Sequence, residues 1–163
     1  MIQQIASGNA NGMDDFPKLE GVFEPRTWRE YVPFLKGIGI VGNHNGSLCL
    51  SETGEWLHRN LSFYNIASVM QERFRIFGEI LYVLDSEPST VQEVDEKICD
   101  LYKLKWKNCS NTRKRMDWLE VLGLIDIIGN RKWGVTESGK RALKEWILVT
   151  PEMLDSFEDA EVS

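Results

Sequence analysis

Two stretches of the chain carry the same pattern, FLKGIGIVGNHNGSLCLSETGEWLH at residues 34–58 and WLEVLGLIDIIGNRKWGVTESGKRAL at residues 118–143. Their helix-ending glycines align, and a shift of one residue in the middle then places Ser51–Gly54 (SETG) on Thr136–Gly139 (TESG). Each copy predicts an apolar helix end, a glycine stop, a strand, a Gly/Asn turn, a second strand and a capped helix start. Because an internal repeat constrains architecture before any single motif does, these stretches decide the fold.

Length and composition leave room for one large or two small domains in the 163 residues. Apolar residues make up 42% of the chain and aromatic residues 10%, with six tryptophans, which is enough to fill two small cores. No run of about 18 uncharged apolar residues occurs, so we expect no membrane-spanning segment.

Cysteine usage predicts a reducing compartment. Cys49, Cys99 and Cys109 are odd in number and widely spaced, which favours free thiols in the cytoplasm over disulfides. Together with His44 and His58 they do not give the paired spacing of a zinc site, so no metal is expected. The N-terminal stretch lacks the basic and apolar segments of a signal peptide.

Charge is distributed unevenly along the chain. The net charge is −6, but residues 103–146 hold eleven Lys/Arg against five Asp/Glu, a local balance of +6, so the remainder carries −12. A basic block within an acidic chain is typical of one functional face on an otherwise solvated surface. Residues 150–163 are acidic and predict a loosely ordered tail.

Hydrophobic spacing predicts the remaining elements. Apolar residues recur at helical intervals from Leu61 to Leu84, which indicates one long amphipathic helix or two collinear ones broken near Gly78. Thr90 and Glu93 have the spacing of a capping box at the start of the next helix. A further helix, capped by Ser110 or Asn111, is expected to end at Gly123. The expected strands and turns of the two copies are Ile38–Val41, Asn43–Gly46, Leu48–Leu50, Leu124–Ile128, Gly129–Asn130 and Trp133–Val135.

The resulting order of helices and hairpins resembles the winged-helix family. The stretch RMDWLEVLGLI at 115–125 and GNRKWGVTESGK at 129–140 carries the resemblance. It implies a mostly α fold with small β-hairpin wings, a tandem winged helix-turn-helix. The expected organisation is a leader at 1–25, a partial winged-helix unit at 26–60, a complete unit at 61–149 and the tail.

Such tandem units look like the DNA-recognition regions of type IIS restriction endonucleases and like accessory proteins of bacterial defence systems. The resemblance implies binding of double-stranded DNA, with a nuclease supplied by a partner or by another domain. A transcription regulator that dimerises through its long helix is a related reading.

In a helix-turn-helix, the first residues of the second helix meet base edges in the major groove. Here they include Asn111, Thr112 and Arg113, of which Arg113 suits guanine and Asn111 suits adenine. Lys114 and Arg115 suit phosphates. The alternative interpretation is a solvated basic face without a ligand.

Two flanking segments add cations. Arg131 and Lys132 lie at or near the tip of the second hairpin, where they could reach the minor groove or its phosphates. Lys105 and Lys107 alternate with apolar residues in the turn before the second helix and suit phosphates. Hairpin solubility and an amphipathic turn anchored by Trp106 are the alternatives.

No catalytic constellation emerges from the sequence. Residues 136–140 (TESGK) lack the upstream glycines of a phosphate loop, and Gly37-Ile38-Gly39 is a helix stop. Asp95 and Glu96 beside Lys97 predict a solvated helix face. We therefore expect neither enzymatic activity nor a cofactor.

Two functional hypotheses remain open. The first is a non-catalytic module that binds double-stranded DNA through the second unit. The second is an interaction scaffold that binds another protein, or a second copy of itself, through the apolar Leu61–Leu84 helix, which the sequence pI of about 5.0 favours.

Overall fold

The computed structural model describes residues 32–150 and Met153, and the chain divides into two compact units, Met1–Phe74 and Arg75–Ser163. We call these unit 1 and unit 2. The division falls at Phe74 rather than at residue 60. The expected leader at 1–25 and nearly all of the expected acidic tail lie outside the described residues.

Unit 1 contains a helical segment at 32–37, one hairpin and two helices. Its remaining elements are β1 (Val41–His44), β2 (Ser47–Leu50), α1 (Glu52–Arg59) and α2 (Phe63–Arg73). Ser51 and Ser62 begin the two helices as N-caps, each accepting a backbone N–H three residues on. The core comprises Val32, Leu35, Ile38, Ile40, Val41, Leu48, Leu57, Ala67, Val69 and Met70.

Unit 2 contains four helices and a second hairpin in its described part. They are α3 (Gly78–Ser86), α4 (Val91–Leu101), α5 (Ser110–Val121), β3 (Ile125–Gly129), β4 (Lys132–Val135) and α6 (Glu137–Glu145). The expected capping box at Thr90 and Glu93 is present and starts α4. α3 lies at the centre of the unit and packs against α4, α6 and β4.

A single bridging residue extends the second hairpin. Ser89 exchanges both backbone hydrogen bonds with Trp133, at 3.1 and 2.9 Å, so the segment between α3 and α4 adds a third strand position beside β4. Ser89 is 1% exposed. The sequence analysis missed this contact because one bridging residue has no hydrophobic periodicity.

The repeat that opened the sequence analysis exists as a set of identical backbone bonds. After each glycine stop, the Ile40 N–H donates to Leu35 O and the Leu124 N–H donates to Leu119 O, both at 2.9 Å. Gly39 and Gly123, with φ of 75° and 76°, turn the chain out of the helix in the left-handed conformation that glycine tolerates.

The second half of the repeat joins each hairpin to its following helix. The hydroxyl of Ser51 donates to Gly39 O at 2.5 Å, and that of Thr136 donates to Gly123 O at 2.7 Å. A Cβ on Gly54 would lie 2.1 Å from Ile40 O, and one on Gly139 would lie 2.2 Å from Leu124 O. The SETG and TESG motifs therefore end in glycine because a carbonyl oxygen occupies the side-chain position.

The one-residue shift between the copies has a structural location. Val41–His44 pair with Ser47–Leu50 without interruption, whereas the ladder of β3 and β4 breaks between Ile127 and Gly129. Ile128 is the extra residue, and the pairing resumes with Gly129 opposite Lys132. The insertion is thus absorbed by a β-bulge.

These observations confirm the coarse fold class, which is mostly helical with two small antiparallel hairpins. No helix in the described part of the chain combines the length and the apolar character needed to cross a bilayer. The three cysteines are free and half-buried.

Several expected boundaries were wrong. The first strand begins at Val41, because Ile38 and Ile40 still belong to the helix stop, and the tight turns are Asn45–Gly46 and Asn130–Arg131. The predicted Leu61–Leu84 helix is two helices, separated at residues 74–77 rather than broken at Gly78.

Candidate nucleic-acid interface

The helix pair α4 and α5 is held together by a buried hydrogen bond. The Thr112 hydroxyl on α5 donates to Asp95 Oδ1 on α4, and Thr112 is fully buried. Thr112 was expected on the DNA-contacting face and must be removed from it, because its side chain faces the neighbouring helix. Its spacing from Met116 and Leu119, four and seven residues on, is the core-facing signal that the sequence contained.

Arg115 was expected to hold a phosphate, but its guanidinium is used inside unit 2. Nε donates to Arg75 O at 2.8 Å, and Nη1 donates to Asn111 O at 3.0 Å. The guanidinium carbon also lies 4.8 Å from the centroid of the Trp106 ring. Burial lowers the pKa of Arg115, opposed by the nearby Glu79 carboxylate. Arg115 therefore fixes the loop before α5 against the helix.

The start of α5 differs from the expected one. The helix begins at Ser110 with Cys109 as N-cap, no side chain caps it in the usual way, and Asn108 Oδ1 accepts the Ser110 N–H at 3.0 Å. Neither Ser110 nor Asn111 acts as the cap. The first turn contains no acidic residue, so the positive end of the helix dipole is not offset by a carboxylate there.

Three of the expected contact residues are exposed on the first turns of α5: Asn111, Arg113 and Lys114. At about 100° per residue, Asn111 and Arg113 lie on opposite flanks of the helix, and Lys114 lies between them on the outward side. Within residues 32–150 neither Arg113 nor Lys114 forms an ion pair. The three side chains thus cover a broad front rather than one line.

The later turns of α5 have a different character. Asp117 and Glu120 are exposed there, and Glu120 Oε2 accepts a hydrogen bond from Trp133 Nε1 at 3.3 Å. Val121 follows with 65% of its surface exposed. The cationic surface is therefore confined to the N-terminal part of α5 and does not extend along the helix.

The loop before α5 carries Lys105 and Lys107, both exposed and outside every ion pair of the described residues. Leu104 and Trp106, which alternate with them, are half-buried. Because Arg115 lies over Trp106, the backbone between the two lysines is anchored to α5.

The hairpin of β3 and β4, which we call the wing of unit 2, separates its two expected cations. Arg131 lies in the turn with φ of 57° and is exposed. Lys132 Nζ lies 3.8 Å from Glu93 Oε1, so its charge is partly offset. Two backbone and side-chain hydrogen bonds from Thr90 lower the pKa of Glu93 first, with Lys132 adding a smaller effect. Arg131 is the freer of the two cations.

The hairpin of unit 1, formed by β1 and β2, offers no comparable charge. Its exposed positions are Asn43, His44, Asn45, Gly46 and Ser47. Of the three cations expected beside it, Lys36 is exposed, whereas Arg26 and Arg29 lie outside the described residues.

One buried carboxylate was not anticipated from the sequence. Glu79 is 2% exposed, and its Oε1 accepts the Val149 N–H at 3.0 Å. Trp146 stacks on Phe77 with ring centroids 6.2 Å apart, so the segment after α6 is fixed to α3 at two points. The acid within the apolar run Phe77–Leu84 was the available signal.

Comparison with known proteins adds no assignment. No protein-family model matches the chain, and no curated protein or solved structure shows significant similarity to it.

Proposed function

We propose that unit 2 is a winged helix-turn-helix that binds double-stranded DNA without catalysing a reaction on it. The order α3, Ser89 strand position, α4, α5, β3, β4 and α6 is the order of that fold, with α5 as the second helix of the pair. Unit 1, which repeats the hairpin and its following helix, is the second and incomplete member of the tandem.

One observation carries this proposal. Five exposed cations stand on the loop before α5, on its first turns and at the wing tip, and none of them forms an ion pair with a described residue. They are Lys105, Lys107, Arg113, Lys114 and Arg131. Leaving so many cations unpaired in a chain with 25 acidic residues is typical of a surface that neutralises phosphates.

The residues divide into two roles. Arg113 and Asn111 contact base edges in the major groove, one from each flank of α5. Lys105, Lys107 and Lys114 bind phosphates, and Arg131 contacts the adjacent minor groove. A restriction, phage-defence or regulatory setting, in which a partner supplies any nuclease, rests on the winged-helix resemblance alone.

The test measures binding of a fluorescein-labelled duplex by anisotropy over a series of salt concentrations. Replacing Arg113 and Lys114 together by Ala should weaken binding at least tenfold and reduce the slope of log K against log salt by about 1.8, as expected for two lost phosphate or base contacts. Binding that is unchanged in both measures contradicts the assignment.

A matched control removes two cations that are already paired. Lys140 lies 3.2 Å from Glu137, and Arg141 lies 2.9 Å from Glu145, both on α6. Replacing Lys140 and Arg141 by Ala changes the net charge equally but should reduce the slope much less. Equal effects of both double variants would indicate a non-specific response to net charge.

A protein-binding scaffold is the second candidate, favoured by apolar exposure in unit 1. Trp56, Leu61 and Phe63 are 45%, 46% and 65% exposed around the link between α1 and α2. The Leu61–Leu84 helix expected to provide this surface does not exist as one element, and its second part is buried, as Phe77 and Leu84 show. Light scattering that gives a stable oligomer, with no salt-dependent DNA binding, would favour this candidate.

A further inference from the structure

The wing of unit 2 contains one residue that its counterpart in unit 1 lacks. Ile128 has no partner in the ladder, and the chain returns to register through Gly129, whose φ of 125° suits glycine. Bulges bend a strand, increase its twist and re-aim the side chains beyond them. The insertion therefore changes where the tip of this wing points.

The inserted residue also changes what the wing exposes. Ile128 is 61% exposed and Ile127 is 50% exposed, whereas the corresponding end of unit 1 exposes Asn43 and His44. The Ile128 side chain lies across Gly134, with Cγ2 3.4 Å from the position of a Cβ there. Ile128 is thus supported from below by the opposite strand and presents its outer surface to solvent.

Charge at the same end is wholly positive. Residues 127–132 (IIGNRK) contain no acid, and Arg131 occupies the turn beside Asn130 in a left-handed conformation. An aliphatic side chain next to an unpaired cation is complementary to the minor groove, which has apolar sugar walls and a strongly negative potential. Proteins that bind there insert aliphatic side chains at base steps and bend the duplex.

We propose that Ile128 acts as an apolar wedge in the minor groove beside Arg131, so that the duplex bound by unit 2 is bent and flexible pyrimidine–purine steps are preferred. This inference rests on the DNA-binding function proposed above. It names the feature of DNA that the wing selects, which is deformability rather than a base-edge pattern.

The experiment uses the full chain and two labelled duplexes of equal length and composition, one with TA steps at its centre and one with a stiff A-tract. The wild-type chain should bind the TA duplex about tenfold more tightly. Energy transfer between dyes at the two duplex ends should increase on binding, because bending shortens the distance between them.

Two variants separate the bulge from the side chain. Ile128→Ser keeps the extra residue and removes the wedge, while deletion of Ile128 restores the register that unit 1 already adopts. Both should lose the TA preference and the energy-transfer increase, and both should keep the salt dependence that Arg113 and Lys114 contribute. Circular dichroism melts verify folding. Ile147→Ser, which removes an isoleucine that is 90% exposed outside the wing, should change nothing.

The outcomes distinguish the two proposals. Salt-dependent binding by the wild type without TA preference or bending overturns the wedge and leaves the DNA-binding function intact. Preference and bending that persist in Ile128→Ser also overturn the wedge. Failure of the wild type to bind either duplex overturns the proposed function, and the wedge with it.

Discussion

Unit 1 and unit 2 build the same hairpin with the same backbone bonds, yet they present different surfaces. The glycine stops, the hydroxyl bonds of Ser51 and Thr136 and the close approaches at Gly54 and Gly139 match closely. The exposed ends do not match, because one is polar and uncharged and the other is aliphatic and cationic. The difference teaches that the repeat preserves a joint between hairpin and helix, while the hairpin tip varies independently.

The strongest way to break the comparison is to fill the joint. Gly139→Ala should destabilise unit 2 by about 3 kcal/mol, because its Cβ would lie 2.2 Å from Leu124 O and 2.6 Å from Val135 Cγ1. Gly54→Ala should destabilise unit 1 by a similar amount. Urea unfolding followed by circular dichroism measures both.

Gly37→Ala is the control for this pair, since a Cβ there would have no atom within 4 Å. It should be neutral or stabilising, because alanine has the better helix propensity. A tolerated Gly139→Ala would show that the carbonyl can move and that the glycine is not required by packing.

A smaller effect is expected from the caps. Ser51→Ala and Thr136→Ala should each cost about 1–2 kcal/mol, because each hydroxyl accepts an N–H of the first helical turn and donates to a glycine-stop carbonyl. Equal losses in unfolding free energy would support equivalent joints. A loss in one unit alone would show that the shared bonds differ in weight.

The smallest expected difference is the acid sensitivity of the two units. The hydrogen bonds from Thr90 lower the pKa of Glu93 below its ordinary value of 4.5. A carboxylate with a lowered folded-state pKa contributes stability above its unfolded value, and this is lost as pH falls through the folded value. Unit 1 has no such group in α1, where Gly54 occupies the equivalent position.

Unfolding free energies measured between about pH 6 and pH 3 test this prediction. Glu93→Gln keeps a possible acceptor for the Thr90 N–H but cannot titrate, so it should flatten part of the acid decline of unit 2. An identical pH profile for Glu93→Gln and wild type would contradict the assignment. Glu52→Gln, an exposed first-turn acid of α1, is the matched control.

Local patterns of the sequence were sufficient for the joints of this fold. Glycine stops, the Thr90 capping box and the Thr136 cap depend on neighbours within a few residues, and each is present. The orientation of side chains on α5 was not accessible in the same way. Arg113 and Arg115 are two residues apart in one basic run, yet only the second reaches Arg75 and Trp106, which packing brings close.

The bulge illustrates the same limit. The one-residue offset between the copies was visible in the alignment, but the alignment could not decide which residue leaves the ladder. That choice depends on Gly129 taking a φ of 125° and on Gly134 leaving room for Ile128. The bridge between Ser89 and Trp133 and the burial of Glu79 likewise depend on tertiary contacts.

The carbonyl oxygen seated on Gly139 has a consequence for how such a module diversifies. Because strand exit and helix entry are locked together at that point, residues added or removed farther out cannot disturb the hydrophobic interior. Ile128 is an accepted insertion of this kind, solvent-facing and remote from the lock. The tip is therefore free to acquire new chemistry by single-codon insertion, while the hinge below it stays under strict steric constraint.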